Sequence, residues 1–225
     1  MRKTTLAQAE SQQPGRHWRA LLAAGVTVVA LVLPTVAQAE RYRVDLILYV
    51  DKTGSGGEVS VRPSLPDLSR VIELGESAQL RSAGIEILPD ESFGLSREWK
   101  RLANSQRHQP LLRLAWIQKD PPAENGPGLR LRSGTPVIWN SSGAGGARSA
   151  ELYPVDGSVR LLMGRFLHLD ADLGYTVNRE NGELGSYRLQ ERRRMRRDEL
   201  HHLDSPRMGL LVRVQKTDSG EKSGQ

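Results

Sequence analysis

The stretch from residue 159 to residue 177 constrains the fold of this chain more than any other part of its sequence. Apolar residues fill nearly every second position there, and the residues between them are mostly charged, polar or glycine. A period of two is the pattern of a β-strand that buries one face and exposes the other. Because the stretch is longer than a usual strand, Gly164 and Gly174 are predicted to mark bulges or bends where the chain turns or changes partner.

Shorter stretches with the same alternation lie on both sides of it, at residues 42–50, 111–118, 186–197 and 208–215. Leu95, Trp99 and Leu102 instead recur at helical spacing. This spacing predicts a helix over about residues 95–105 that docks on a sheet, with Ser92 or Ser96 as its cap. The predicted fold class is therefore α+β: a mainly antiparallel β-sheet with one or two packed helices and a C-terminal β-meander.

Clusters of glycine, proline and polar residues predict the connections between these elements. Asp198 and Glu199 resemble a hairpin connection to a strand over residues 200–204. Long loops are predicted at about residues 119–134 and 140–149, and the polar residues 216–225 are predicted to be a disordered tail. The sequence shows no internal repeat, so residues 40–215 are predicted to form a single domain.

The first 39 residues have the features of a secretory signal peptide. Basic residues precede an apolar segment at residues 21–33, which ends at Pro34, and the small residues Ala37 and Ala39 stand just before Glu40. This arrangement predicts cleavage after Ala39 and a periplasmic protein with no stable membrane anchor. The alternative is an uncleaved anchor, but a helix needs about 20 apolar residues to span a bilayer, and the apolar segment is shorter.

The net charge of +6 overstates the basicity of the exported chain. Four of the 32 basic residues and one of the 26 acidic residues lie in the predicted signal, so its removal lowers the net charge from +6 to +3. Export also removes the usual nucleic-acid partners, and nucleic acid is not an expected ligand. The chain has no cysteine, which excludes disulfides, thiolate metal sites, cysteine nucleophiles and lipid attached through cysteine.

Five arginines occur within the six residues from 192 to 197. On a strand, Arg192, Arg194 and Arg196 project to the same side as Arg188. Each step of two residues along this face is about 7 Å. Guanidinium groups match carboxylates bidentately, so this arginine ladder is a candidate binding surface for an extended polyanion. The alternative is a solvated strand face whose arginines pair with neighbouring acids, and such exposed pairs are worth about 0–1 kcal/mol.

His168, Asp170 and Asp172 also share one strand face and raise the question of a metal site. On a straight strand their Cβ atoms spread over about 13–14 Å, whereas ligands converge within about 2.5 Å of a divalent metal. A polar outward face is the favoured interpretation, and no metal or cofactor is predicted. The adjacent His201 and His202 point to opposite faces and cannot chelate on a regular strand. No activated-nucleophile or phosphate-loop motif is present, so no enzymatic activity is expected.

Four stretches of the chain resemble the CsiV family of secreted peptidoglycan-binding proteins from Gram-negative bacteria. They are the opening strand Tyr42-Arg-Val-Asp-Leu-Ile, the strand end Ala115-Trp-Ile-Gln, the central Gly164-Arg-Phe-Leu-His-Leu-Asp-Ala-Asp-Leu, and the closing Arg193-Arg-Met-Arg with Glu199-Leu-His and Leu203-Asp. Their order and spacing cover nearly the whole predicted mature chain.

The resemblance implies a non-enzymatic periplasmic protein that binds peptidoglycan and supports cell shape and cell-wall synthesis. It also implies regulation of a peptidoglycan synthase, through an outer-membrane lipoprotein that activates a penicillin-binding protein. The predicted contact surface is the arginine ladder of Arg188, Arg192, Arg194 and Arg196, with Arg160 and His168 as second choices. Two alternatives stay open: a metal-dependent cell-wall hydrolase using His168, Asp170 and Asp172, and a scaffold that meets the wall only through a protein partner.

Overall fold

Two antiparallel sheets, packed face to face, make up the body of the protein. The computed structural model describes residues 39–53, 66–143, 146–178 and 184–217. Within these ranges the elements are β1 (Arg41–Asp51), β2 (Val71–Ile72), α1 (Ser77–Ser82), β3 (Ile85–Ile87), a short 3-10 helix (Asp90–Ser92), α2 (Ser96–Ala103), β4 (His108–Lys119), β5 (Gly128–Ser133), β6 (Val137–Gly143), β7 (Gly146–Leu152), β8 (Val155–Met163), β9 (Leu167–Asn178), β10 (Leu184–Arg194), β11 (Leu200–Asp204) and β12 (Met208–Thr217).

The strands divide between a first sheet and a second sheet of five strands each. The first sheet has the order β11-β12-β1-β4-β3, the second has the order β10-β9-β8-β5-β2, and β6 with β7 forms a separate two-stranded ribbon. Neighbours are antiparallel except for β2 and β5. The predicted fold class is confirmed: a mainly antiparallel fold with two α-helices in the described ranges, in which β8, β9 and β10 form a meander.

The main core lies between the two sheets, and a smaller one lies under α2. Alternation along β1 sends Val44, Leu46 and Leu48 into the main core, while Ile47 points to the opposite face. That second face is covered by α2, whose Trp99 packs there as the helical spacing predicts. The predicted caps are wrong: the residue before the helix is Leu95, which makes no side-chain capping bond.

The long alternating stretch is two strands joined by a tight turn. β8 ends at Met163, which faces Leu167 at the start of β9, and Gly164, Arg165 and Phe166 form the turn between them. The bend predicted at Gly164 is therefore confirmed. Gly174 instead continues β9 without any break in register against either neighbour, because its backbone pairs regularly with Asp156 and Arg188.

Both predicted loops contain strands. β5 lies inside the first, at residues 119–134, where Leu129 and Leu131 fill the core and the backbone pairs with β8. β6 and β7 pair through the second, at residues 140–149. Glycine-rich composition lowers the preference for a strand, but backbone pairing and two buried leucines outweigh it. The predicted tail also begins too early, because Lys216 and Thr217 pair with β1; residues 218–225, like residues 1–38, lie outside the described ranges.

The hairpin predicted at Asp198 and Glu199 is wrong, because this segment passes from one sheet to the other. β10 belongs to the second sheet, whereas β11 pairs only with β12 in the first sheet. Residues 195–199, here called the sheet crossover, turn with Asp198 at a positive φ of 65°. Met195 is buried in the main core and fixes the start of the crossover. The turn residues in the sequence indicate that the chain changes direction here. They do not indicate with which sheet the following strand pairs.

A buried carboxylate lies on the face of the first sheet that α2 covers. Asp45 is fully buried and accepts hydrogen bonds from Arg43 Nε at 2.9 Å and from the Gly94 backbone N–H at 2.7 Å. Arg213 Nη2 lies 3.8 Å from Asp45 Oδ2, and it also donates a hydrogen bond to the Gly94 carbonyl at 3.0 Å. This cluster ties the segment before α2 to β1 and β12.

Across the described ranges, no helix is long and apolar enough to cross a membrane.

Candidate functional site

Three of the four arginines of β10 share one exposed face, as parity predicts, and Arg193 lies on the other face. Arg188, Arg192 and Arg194 lie on the outer face of the second sheet, opposite Gly174, Asp170 and His168 of β9 in the strand register. Arg196 lies beyond the end of β10, in the sheet crossover. The predicted ladder therefore has three members on the strand, and its fourth member, Arg196, lies in the sheet crossover.

One end of this ladder is matched by an acid on β9. Arg188 holds Asp172 bidentately, with Nε–Oδ1 and Nη2–Oδ2 distances of 2.8 Å. This hydrogen bond raises the pKa of the Arg188 guanidinium. Arg192 lies beside Asp170 in the register, and Arg160 of β8 lies on the other side of the same residue. The ladder is thus not a continuous row of unpaired cations, because parity predicts which side chains share a face but not which charges the next strand brings.

His168 and the two aspartates do not converge on one point. His168 Nδ1 lies 2.9 Å from the carbonyl oxygen of Phe166 and so contacts the turn between β8 and β9. Asp172 is held by Arg188 and also accepts from the backbone N–H of Asp67 at 3.3 Å. In the part of the chain that the structure describes, no three histidine, aspartate or glutamate side chains group as metal ligands would.

Exposed cations do come together at one end of the sandwich, in a cleft of about 430 Å³. This arginine cleft is formed by the β8–β9 turn, the sheet crossover and the start of β1. It is lined by Glu40, Tyr42, Met163, Arg165, Phe166, Leu167, Arg194, Met195, Arg196 and Arg197. Two of the predicted contact residues, Arg194 and Arg196, therefore lie here, together with three residues that the sequence did not single out as contacts: Arg165, Phe166 and Arg197.

The arginine cleft is organised around an exposed aromatic ring. Phe166 is 37% exposed, and the guanidinium carbon of Arg194 lies 3.5 Å from its ring centroid. Arg165 also stands over this ring, at 5.3 Å. Such cation–π contacts hold long, flexible arginines in a defined position. The ring therefore gathers two cations at the tip of the β8–β9 turn.

The charges of the arginine cleft are only partly compensated. Arg196 is 75% exposed, and its ion pair with Glu199 is long, at 3.7 Å. Among the described residues, Arg165, Arg194 and Arg197 form no ion pair with an acid within 4.0 Å. Glu40, which lines the cleft, is bound to Lys216 at 2.6 Å and to the Tyr42 hydroxyl at 2.7 Å. Those two hydrogen bonds, followed by the charges of Lys216 and Arg197, lower the pKa of Glu40, so this carboxylate offsets only part of the positive charge of the cleft.

Backbone contacts hold the crossover side of the cleft in place. The Met195 N–H donates to the carbonyl of Leu167 at 2.8 Å, which joins the crossover to the start of β9. The Arg196 N–H donates to His201 Nε2 at 2.9 Å. His202 contacts the Tyr49 hydroxyl instead, which agrees with the prediction that these adjacent histidines face different ways.

The signal for Arg165 and Phe166 lies in the alternating stretch itself. Arg165 breaks the apolar parity from Val159 to Val177, and it directly follows Gly164. An interruption of this kind beside glycine fits a hairpin tip, where side chains project outward and belong to neither strand face. The prediction of a single bent strand places Arg165 on a strand face and not at a hairpin tip.

A second pocket, of about 370 Å³, surrounds the buried ring of Tyr49. His108 meets this ring edge-on at 5.3 Å and His202 stacks on it at 5.9 Å. Burial, followed by the nearby charges of Asp204 and Asp51, raises the pKa of Tyr49 to about 12. The tyrosine therefore stays protonated and acts as a hydrogen-bonding core residue.

Asp51, beside this pocket, makes stability depend on pH. Arg107 Nη2 lies 2.6 Å from Asp51 Oδ2, and this contact, with hydrogen bonds from Thr53, holds the pKa of the carboxyl well below its usual value. A carboxyl with a lowered folded-state pKa stabilises the fold above its unfolded-state pKa of about 3.9, and this contribution is lost as the pH falls towards the folded-state value.

We therefore expect Arg107→Ala to destabilise the protein more at pH 7 than at pH 3. Denaturant unfolding of both proteins at the two pH values measures the difference. The exposed Arg97→Ala, on α2, serves as the control and should show no such pH dependence. A loss from Arg107→Ala that is equal at both pH values would contradict the assigned cause.

The comparisons with known proteins identify a family for this chain. A family model described as "Peptidoglycan-binding protein, CsiV" matches residues 21–217. The match covers most of the chain and includes every strand of both sheets. No curated protein and no solved structure matches the chain.

Proposed function

The chain belongs to the CsiV family of peptidoglycan-binding proteins, and we propose that it binds the cell wall through its arginine cleft. The observation that carries this proposal is the gathering of Arg165, Arg194, Arg196 and Arg197 around Phe166 with few acids to match them. Ion-paired arginines elsewhere, such as Arg130 and Arg188, already have carboxylate partners within the protein.

The chemistry of the wall suits such a cleft. Peptidoglycan stem peptides carry carboxylates, and guanidinium groups bind carboxylates through charge-assisted hydrogen bonds. The stacking of Arg194 on Phe166 orders this side chain before the ligand arrives, which reduces the entropy lost on binding. Of the predicted contact residues, Arg194 and Arg196 keep this role. Arg160, Arg188, Arg192 and His168 are proposed only to shape the field around it.

We further propose that the protein is exported to the periplasm, is cleaved after Ala39 and is a single domain over residues 40–215. The backbone nitrogen of Glu40 lies 2.8 Å from Asp120 Oδ1. Cleavage after Ala39 would turn this amide into an ammonium group next to a carboxylate, which strengthens the contact. The Asp120 N–H also donates to the Glu40 carbonyl at 2.8 Å, so the first residue of the proposed mature chain is held twice.

As the family resemblance implies, we propose that the protein is not an enzyme. It would support cell shape and cell-wall synthesis by regulating a peptidoglycan synthase, through a lipoprotein activator of a penicillin-binding protein. The carboxylate of Asp172 is bound to Arg188, which supports a structural rather than a catalytic role for that residue. A scaffold that reaches the wall only through a partner is distinguished by the experiment below.

Retention on purified sacculi tests the proposed surface. Protein purified from cells that express the full chain is expected to sediment with sacculi and to be released as salt screens the contact. The triple variant Arg165→Ala, Arg196→Ala, Arg197→Ala should lose at least about tenfold in affinity, because each hydrogen bond to a charged group is worth about 1.5–3 kcal/mol.

Two matched variants make this result specific. Arg97→Ala, Lys100→Ala, Arg101→Ala removes the same charge from exposed positions on α2 and should be retained like the parent. Arg160→Ala, Arg192→Ala tests the outer face of the second sheet and should lose less than twofold. Retention of the cleft variant at the parent level would refute the site, and retention that requires an added lipoprotein would favour the scaffold.

A further inference from the structure

We infer that the arginine cleft recognises the carboxylates of peptide stems and not the sugars of the glycan strand. This inference rests on the proposed function and adds the class of ligand. Two kinds of group distinguish peptidoglycan fragments chemically: sugar rings, which stack on open aromatic faces, and carboxylates, which bind cations. The position of Phe166 separates the two possibilities.

The aromatic face that a sugar would need is already occupied. The guanidinium carbon of Arg194 lies 3.5 Å from the Phe166 centroid, which is contact distance, and Arg165 stands over the same ring at 5.3 Å. A sugar could stack there only by displacing a cation from its preferred position. Tyr42, the other ring that lines the cleft, is 1% exposed, and its hydroxyl donates a hydrogen bond to Glu40.

Stacking leaves the binding edges of the guanidinium available. Its five N–H donors lie in the plane of the group, while the ring contact uses the perpendicular face. No hydrogen bond from the Arg194 side chain is formed within the described ranges, so these donors are available to a ligand. Phe166 therefore acts as a support that presents a guanidinium fork and not as a sugar platform.

The charge and size of the cleft favour a ligand with more than one carboxylate. Four arginines line it, whereas Glu40 is matched by Lys216 and the contact of Arg196 with Glu199 is long, at 3.7 Å. A volume of about 430 Å³ is enough for a few residues of peptide. A short, extended peptide with two or more free carboxylates meets both conditions, whereas the sugar rings with their hydroxyl and acetamido groups carry no charge.

Binding of defined wall fragments to the full protein, measured by calorimetry, tests this inference. The probes are a disaccharide bearing an acidic stem peptide, the same fragment with its carboxylates amidated, and glycan strands freed of stems whose exposed lactyl carboxylates have been amidated. We expect the acidic fragment to bind, amidation to weaken binding at least about tenfold, and stem-free glycan not to bind. Equal binding of the amidated fragment or of stem-free glycan would overturn the inference.

A conservative variant adds a residue-level readout. Arg194→Lys keeps the charge but loses the planar fork, so it should weaken binding of the acidic fragment several-fold and leave the weak binding of the amidated fragment unchanged. Arg101→Lys, on α2, is the control and should change neither.

Intact sacculi, assayed in parallel, keep the two proposals separate. Sacculus retention that depends on the cleft arginines but not on free carboxylates would refute the ligand class and leave the proposed function standing. Loss of sacculus retention altogether would refute the function itself.

Discussion

Replacing Asp45 by alanine is expected to lower the free energy of unfolding by about 3–5 kcal/mol, the cost of removing one member of a buried ion pair. The side chain is fully buried and accepts from Arg43 Nε and Nη2 at 2.9 and 3.0 Å and from the Gly94 N–H at 2.7 Å. Its removal leaves the guanidinium groups of Arg43 and Arg213 without their shared carboxylate. The backbone of Gly94 lies so close to this cluster that a Cβ atom there would be 2.5 Å from Arg213 Nη2.

Denaturant unfolding measures this loss, and Asp90→Ala provides the matched control. Asp90 pairs with Arg113 at an exposed position, where its side chain is 59% accessible. Pairs of this kind contribute about 0–1 kcal/mol. An Asp45→Ala variant as stable as Asp90→Ala would show that the buried cluster is not a structural tie.

Trp116→Ala is the second change with a large expected effect, a loss of about 3–5 kcal/mol from the cavity that it creates. Trp116 is fully buried in the main core, on β4, which lies between β1 and β3. Its indole N–H has no hydrogen-bond partner among the described residues. Trp116→Phe should therefore cost much less, because phenylalanine keeps most of the volume and removes an unsatisfied donor.

Unfolding by denaturant compares the two Trp116 variants directly. Ile138→Ala, at a side chain that is 66% exposed, should stay within about 0.5 kcal/mol of the parent and serves as the control. Equal losses for the alanine and phenylalanine variants would mean that the indole makes a contribution beyond its volume.

Periodicity predicted the strands and their buried faces because side-chain burial repeats locally. β1, β4 and α2 occur where the pattern places them, and Trp99 packs on the first sheet as its spacing predicts. The route between sheets could not be predicted in the same way. Whether β11 pairs with β10 or with β12 depends on contacts between residues distant in sequence, which no local pattern encodes.

The same limit applies to the candidate site. Parity correctly placed Arg188, Arg192 and Arg194 on one exposed face of β10. It could not predict that Asp172 binds Arg188, since this pairing depends on the register between β9 and β10. The arginine cleft was missed for a related reason: Arg165 and Arg197 lie far apart in the sequence and meet only because a hairpin tip and the sheet crossover share one end of the sandwich.

The sheet crossover also determines how mechanical tension enters the protein. The backbone that carries Arg196 and Arg197 continues into β10 of the second sheet on one side and into β11 of the first sheet on the other. A wall strand pulling on these arginines would stretch both sheets together, with the buried Met195 resisting at the point of attachment. Because β10 and β11 are each an edge strand, turgor acting on this segment would divide the load between one edge strand of each sheet and would not place it on a single strand.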